Sequence, residues 1–315
     1  LTLNISLSLV IFLLSMYIKE PLQFSIFPTI LLITTLFRLC LNFSTTRLIL
    51  GKGYAGEVIN AFGSFVTGSN PIVGFIMFLI LVIVQYIVIT KGAERVSEVS
   101  ARFTLDAMPG KQMAIDADLN SGLINEMEAK ERRKAIQQEA DFYGAMDGAS
   151  KFVKGDAIAG IIITVINIVG GFAIGMLQMD LDFIESLSTF TNLTIGDGLV
   201  TQIPALLVSI AAGMVVTRAA SNSDLGTDII AQLLSEPKVL YIASGALLIL
   251  AFTGLPPVPN ILLASILAYM GYTLRKTIKA AQKEEEIKAQ DVEVEEIRKP
   301  ENVMSLLQVD PIELE

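Results

Sequence analysis

The sequence predicts an all-α polytopic membrane protein with a small, mainly helical cytoplasmic subdomain. Three observations carry this. Apolar residues make up 52% of the 315-residue chain and fall in long uncharged blocks. Several blocks approach or exceed the roughly 18 residues needed to cross about 30 Å of hydrocarbon. Basic residues gather in the connections assigned to one side, as cytoplasmic loops require. Length alone would suggest two soluble domains, and the blocks overrule that prior.

Seven spans are expected, at Leu1–Ile18, Phe24–Leu48, Pro71–Thr90, Ala157–Gln178, Leu199–Thr217, Val239–Thr253 and Val258–Leu274. The sixth is short and rests on its flanks as much as on its length. The first opens mid-pattern at Leu1 and lacks a basic leader or A-x-A exit, so it reads as a span following an upstream segment rather than as a cleavable signal. The expected organisation is 1–90 as the first spans, 91–155 as the cytoplasmic subdomain and 156–275 as the last four spans. Residues 276–302, rich in Glu and Lys, read as a charged linker. Residues 303–315 regain apolar character and read as the start of a truncated domain.

Basic residues set the orientation. Lys91, Arg95, Arg102, Lys111, Arg132, Arg133, Lys151 and Lys154 place 91–155 in the cytoplasm, and Arg275, Lys276 and Lys279 place the C-terminus there too. The connection Met179–Gly198 has acidic residues and no Lys or Arg, so it is expected outside. On this path Arg47 and Lys52 fall on the outer side, where they must snorkel or face a cavity.

Several chemistries are excluded. There is no histidine and a single cysteine, Cys40, so no metal-ligand set exists. No phosphate-binding glycine loop and no Ser/His/Asp set is present. No enzyme activity, no cofactor and no nucleic-acid partner is expected. Without histidine, a proton relay would need carboxylates or water.

The chemistry-bearing candidates are charges at membrane depth. Arg38 lies mid-span, and Thr34, Arg38, Asn42 and Thr45 share one helix face at three-to-four spacing. That face must line water or pack on polar partners; a structural ion pair is the alternative. Asp197 is expected at the outer end of the fifth span, as a helix N-cap or as an ion carrier in a Gly-flanked break, with Thr201 one turn on and Pro204 freeing a carbonyl. An Arg38–Asp197 pairing is open. Asp156 opens the fourth span, as an N-cap or as a coupling switch beside Lys151 and Lys154. Arg95, Glu98 and Arg102 share a face with favourable i,i+4 spacing, and Asp106 precedes a Pro109–Gly110 turn that it could cap. Asp116, Asp118 and Asn120 before Gly122 lack the spacing of a calcium loop. Gly171 and Gly175 form a close-packing face extended by Gly160, Thr164 and Asn167. An intramembrane aspartyl protease is disfavoured: Thr194 breaks the GxGD pattern, and Asp156 and Asp197 are placed at opposite membrane faces.

The segment ARFTLDAMPGKQMAIDADLNSGLI (101–124) resembles, nearly letter for letter, the signature of the FHIPEP family of export-gate proteins. FPTILLITTLFRLCLNFSTTRLIL, EADFYGAMDGASKFVKGDAIAG and IGDGLVTQIPALLVS resemble that family's other blocks, in order, and the likeness covers essentially the whole chain. EADFYGAMDGAS looks more like flagellar than virulence-secretion members. The resemblance implies eight spans in the full protein, with one ahead of Leu1, and a large C-terminal cytoplasmic domain from about Val303. It implies a nine-membered ring in the bacterial inner membrane at the flagellar basal body. There the ring would use ion-motive force, protons or sodium, to drive unfolded subunits outward. The implied partners are other export-gate membrane subunits, an export ATPase complex, chaperone–substrate complexes (mainly through the C-terminal domain) and membrane lipid. The family's functional charges fall on Arg95, Arg102, Asp106, Lys151 and Asp156 at the cytoplasmic subdomain and its membrane junction, and on Arg38, Arg47 and Asp197 in the membrane.

Two other readings stay open: a small-molecule secondary transporter, which broken helices and buried charge would suit, and a non-conducting scaffold ring.

Overall fold

The computed structural model describes residues 1–68, 70–218, 225–233, 235–253 and 256–276. The expected linker and the start of the truncated domain, residues 277–315, lie outside them. Every regular element among the described residues is helical, and the protein is an all-α polytopic membrane protein.

The chain falls into two compact units, Leu1–Gly226 and the residues from Thr227 onward. In the first, α1 (Thr2–Tyr17) is followed by α2 (Phe27–Lys52), a short α3 (Glu57–Thr67) and α4 (Pro71–Val84). A π-helical segment, Gln85–Thr90, joins α4 to α5 (Lys91–Asn120) without a break. Two long helices complete it, α6 (Glu126–Gln178) and α7 (Phe183–Thr217). In the second unit α8 (Leu225–Leu233) precedes α9 (Pro237–Ala251) and α10 (Pro257–Lys276). There the Ser244 hydroxyl donates to the Ala264 carbonyl at 2.9 Å, and Gly271 lets α10 approach Tyr241.

Five helical stretches among the described residues are long and apolar enough to cross a membrane: Pro21–Lys52, Ile72–Asn120, Glu126–Gln178, Phe183–Thr217 and Pro257–Lys276. The other two expected spans correspond to shorter apolar helices, Thr2–Tyr17 and Pro237–Ala251. At 16 residues α1 is about 24 Å long, short of the hydrocarbon thickness.

The polar stretch 91–155 is a helical hairpin continuous with the bundle. The helicity expected of this subdomain is realised in part as the start of α6, a helix of 53 residues and so about 80 Å long. Its first turn is closed by a capping box. The Glu128 amide donates to Asn125 Oδ1 at 2.9 Å, and the Asn125 amide donates to Glu128 Oε2 at 3.0 Å. Gly122, at φ +76°, takes the left-handed turn between α5 and α6 that a side chain would strain. Ile115, Ile124, Ala129 and Ile136 form a small core at the tip. Lys111–Glu139 at 2.7 Å, Arg132–Asp118 at 3.2 Å and Arg133–Asp116 at 2.5 Å tie the helices across it. Replacing Asn125 by Ala is expected to remove about 1 kcal/mol from the hairpin. Hydrogen exchange should show faster opening confined to the first turns of α6; unchanged exchange there would contradict the capping role.

Two expectations on this hairpin fail. Asp106 caps no turn, because α5 runs helically through Pro109 and Gly110 to Asn120; Asp106 is simply exposed. Asp156 is no N-cap, because α6 begins thirty residues earlier, at its own capping box.

The connection Met179–Gly198, expected as an outer loop, is also largely helical: α7 starts at Phe183. Its first half carries Ser186, Thr191, Thr194 and Asp197, and all four are buried. Hydropathy missed it because these polar residues face protein rather than lipid. Part of what covers them is α3, an element not expected at all. Gly63 packs on the Asn192 carbonyl and Gly196 on the Ile59 carbonyl, the close approach that small residues permit in membrane helix pairs.

The helix directions follow from such contacts. Gly171 packs on Phe190 and Gly175 on Ser186, so α6 and α7 are antiparallel, and Phe172 meets Phe183 edge-on at 5.1 Å near their turn. Arg38 meets Asp156 and Leu50 meets Gly170, so α2 runs parallel to α6.

Candidate ion-coupling site

α2, α4, α6 and α7 enclose a cavity of about 60 Å³, room for about two water molecules. Its polar wall holds Arg38 and Asn42 from α2, Gln85 from the π-helical segment, Asp156 and Thr164 from α6, and Asp197 from α7. The sequence placed the two aspartates at opposite membrane faces; the fold brings them to one cavity. That follows from the two helix corrections, since Asp156 lies deep within α6 and Asp197 lies inside α7 rather than in an accessible break.

Arg38 pairs with Asp156, not with Asp197. Its Nε donates to Asp156 Oδ2 at 2.6 Å, and Nη2 contacts the same oxygen. Arg38 is 4% exposed and Asp156 6%. Both guanidinium contacts fall on one carboxylate oxygen, so Asp156 Oδ1 is buried with no hydrogen-bond partner among the described residues. Asp197 is 5% exposed and has no basic partner among the described residues. The Thr45 hydroxyl donates to the Asn42 carbonyl at 3.1 Å, and Asp197 Oδ1 has no hydrogen-bond partner among the described residues. Asn42 Oδ1 is likewise without a partner. One paired carboxylate, one unpaired carboxylate and spare oxygens around a small void make a site able to take up a cation or a proton. Charge without such compensation is costly at this depth.

The rest of the α2 polar face is buried as its spacing required, with Thr34 and Thr45 at 5% and 6% exposure. Gln85 went unnoticed in the sequence. Its Nε2 donates to the Gln202 carbonyl at 3.2 Å, bridging the π-helical segment to α7. A lone glutamine in FLILVIVQYIVIT was the available signal. The wider π turn sits where helices often depart from regularity for function.

Apolar layers bracket the cavity. Toward the hairpin lie Leu31, Met146, Val153, Val208 and Val215; toward the other end lie Ile49, Ile59, Phe190 and Leu193.

The other candidates stand elsewhere. Lys151 is exposed and bonds Asp147 at 2.6 Å, and Lys154 reaches Glu94 at 3.0 Å, so neither lysine is Asp156's partner. Arg95 and Arg102 flank Glu98 at 2.6 and 3.6 Å on the exposed face of α5, where such pairs contribute little stability. Arg47 is exposed on α2 and makes no ion pair among the described residues.

The FHIPEP family matches residues 1–315. The chain is 59% identical to the flagellar biosynthesis protein FlhA of Bacillus subtilis (strain 168), over 99% of this chain and 46% of that protein. It is 52% identical to the FlhA of Salmonella typhimurium, over 87% of this chain and 40% of that protein. It is also 52% identical to the low calcium response locus protein D of Yersinia pestis, over 87% of this chain and 39% of that protein. The chain thus spans less than half the length of these relatives. No solved structure matches it. Matched over its whole length by the family, and at half identity or better by these relatives, the chain belongs to the FHIPEP family.

Proposed function

We propose that this chain is the membrane-embedded part of a flagellar protein-export gate, which assembles as a ring in the bacterial inner membrane and couples ion movement to the outward passage of unfolded subunits. The flagellar names of relatives at 59% and 52% identity support the apparatus. The single observation that carries the coupling is the shared cavity: a buried Arg38–Asp156 pair facing an unpaired Asp197 between two apolar layers. A proton or sodium ion arriving at Asp197 or at the free oxygen of Asp156 competes with Arg38 for carboxylate charge. A weakened pair loosens α2 from α6, and α6 runs on unbroken into the hairpin. An ion shifts such an equilibrium only by binding one arrangement more tightly. Displacement of Arg38 from Asp156 supplies that difference.

The size of the cavity between Arg38, Asp156 and Asp197 argues against a small-molecule substrate bound at these charges. About 60 Å³ is well below the roughly 300–1,000 Å³ of sites for organic ligands. A non-conducting scaffold ring differs in one measurable respect, ion flux. In proteoliposomes the full-length protein should pass protons or sodium down a gradient, and Asp156→Asn and Asp197→Asn should each abolish the flux per assembled protein, whatever they cost in yield of folded protein. Equal leak in all three proteins, or none in any, would leave a scaffold.

A further inference from the structure

A second cavity lies at the end of the first unit away from the hairpin. It measures about 350 Å³ and is lined chiefly by Asn60, Ser64, Thr67, Ser188, Thr189 and Asn192. Among the described residues its walls are hydroxyls, amides, backbone and the Leu193 side chain, with no Lys, Arg, Asp or Glu.

Chain geometry around it is that of a re-entrant loop. α3 has 11 residues, so it is about 17 Å long and cannot cross a bilayer. Ile59 meets Gly196 and Gly63 meets Asn192, so α3 runs antiparallel to α7 and rises from the Asp197 level toward this end. The non-helical run between α2 and α3 has Gly53 and Gly56 at φ +60° and +100°, and Gly53 and Gly68 both line the cavity. Irregular backbone at membrane depth is tolerated only where protein buries it or where it borders water. α3 also presents its C-terminal end here, the negative pole of a helix dipole, which favours cations.

The cavity leads toward Asp197. Asn192, on its wall, precedes Asp197 by five residues, about 7.5 Å along α7. The Thr67 hydroxyl lies 3.2 Å from Asn192 Oδ1, joining α3 to α7 on the wall of this cavity. At the intervening level the α6–α7 register places Asn167, which is 0% exposed with neither amide atom hydrogen-bonded among the described residues. That is an unmet demand for a polar occupant such as water or a cation.

We propose that this cavity is the water-filled entry vestibule for the coupling cation, from which the cation passes along α7, by Asn192 and the Asn167 level, to Asp197. The inference rests on the ion-coupling reading above. It assigns the cation's entry to the α3 loop, with selection for positive charge by helix-end and side-chain dipoles rather than by carboxylates.

Cys40 is the sole cysteine of this sequence. In the full-length protein with Cys40 and any cysteine outside this sequence replaced by Ser, Ser188→Cys is treated with membrane-impermeant methanethiosulfonates, one cationic and one anionic, and each variant is compared before and after treatment. The cysteine-free parent is the control. The expected result is labelling of Ser188→Cys with the cationic reagent faster by about tenfold, and loss of its ion flux on labelling, while the parent's flux is unmoved. Asn192→Leu should likewise cut flux. If the parent conducts and Asp197→Asn abolishes flux, yet Ser188→Cys resists both reagents or conducts unchanged once labelled, the vestibule is overturned and ion coupling stands. If the parent passes no ion, the coupling reading fails and the entry role falls with it.

Discussion

Removing either partner of the Arg38–Asp156 pair alone will cost about 3–5 kcal/mol, because the survivor is left as an uncompensated charge inside the bundle. Arg38 and Asp156 are 4% and 6% exposed, and the one or two waters that the adjoining cavity could hold do not replace a counter-charge. Arg38→Met and Asp156→Leu should each lower the amount of folded protein and its melting temperature in detergent. The double variant removes both charges and should be more stable than either single one, with a coupling energy within the 0.5–3 kcal/mol range of contacting residues. Stability and function then separate. The double variant refills the space with apolar side chains but has no carboxylate for an ion to compete for. It should assemble, yet support neither ion flux nor motility. Motility restored in the double variant would make the pair purely structural. Additive losses would mean that the two side chains do not act as a unit.

How much of this site was legible follows from what each signal measures. The α2 polar face was readable because Thr34, Arg38, Asn42 and Thr45 repeat at helical spacing inside an apolar block, and such a stripe cannot face lipid. The Asn125–Glu128 box had a local signal, an Asn three residues before a Glu, that went unnoticed in the sequence. Asp156 and Asp197 stand out in the sequence as residues but not in their positions. Hydropathy begins to rise at both, which marks them as helix ends, and hydropathy reports lipid contact rather than helix length. α6 enters the membrane already helical, and α7 carries a polar first half buried on protein. α3 was invisible for the same reason: eleven residues fall below any spanning threshold, and its packing rests on Gly63 and Gly196, residues that carry no hydropathy signal. With α3 unseen and α7 started late, nothing in the sequence could bring the two aspartates to one cavity.

Gly196→Ala tests that missed packing most directly. A Cβ on Gly196 would fall onto the Ile59 carbonyl oxygen, with the carbonyl carbon at 2.9 Å and the Gly63 amide nitrogen at 3.0 Å. These are backbone atoms of a helix, so no rotamer change makes room, and α3 must move bodily from α7. Overpacking of this kind costs about 1–3 kcal/mol, and rigid neighbours push it toward the upper end. Gly144→Ala in α6 is the opposite case. Its added methyl would meet nothing within 4 Å, and exchanging Gly for Ala inside a helix gains up to about 1 kcal/mol. The melting temperature should therefore fall sharply for Gly196→Ala and hold or rise for Gly144→Ala. Gly196 also precedes Asp197, so displacing α3 disturbs the carboxylate's surroundings, and Gly196→Ala should lose ion flux beyond its loss of folded protein. Equal stability of the two variants would mean that α3 does not pack on α7 through Gly196, and the route from the vestibule to Asp197 would lose its wall.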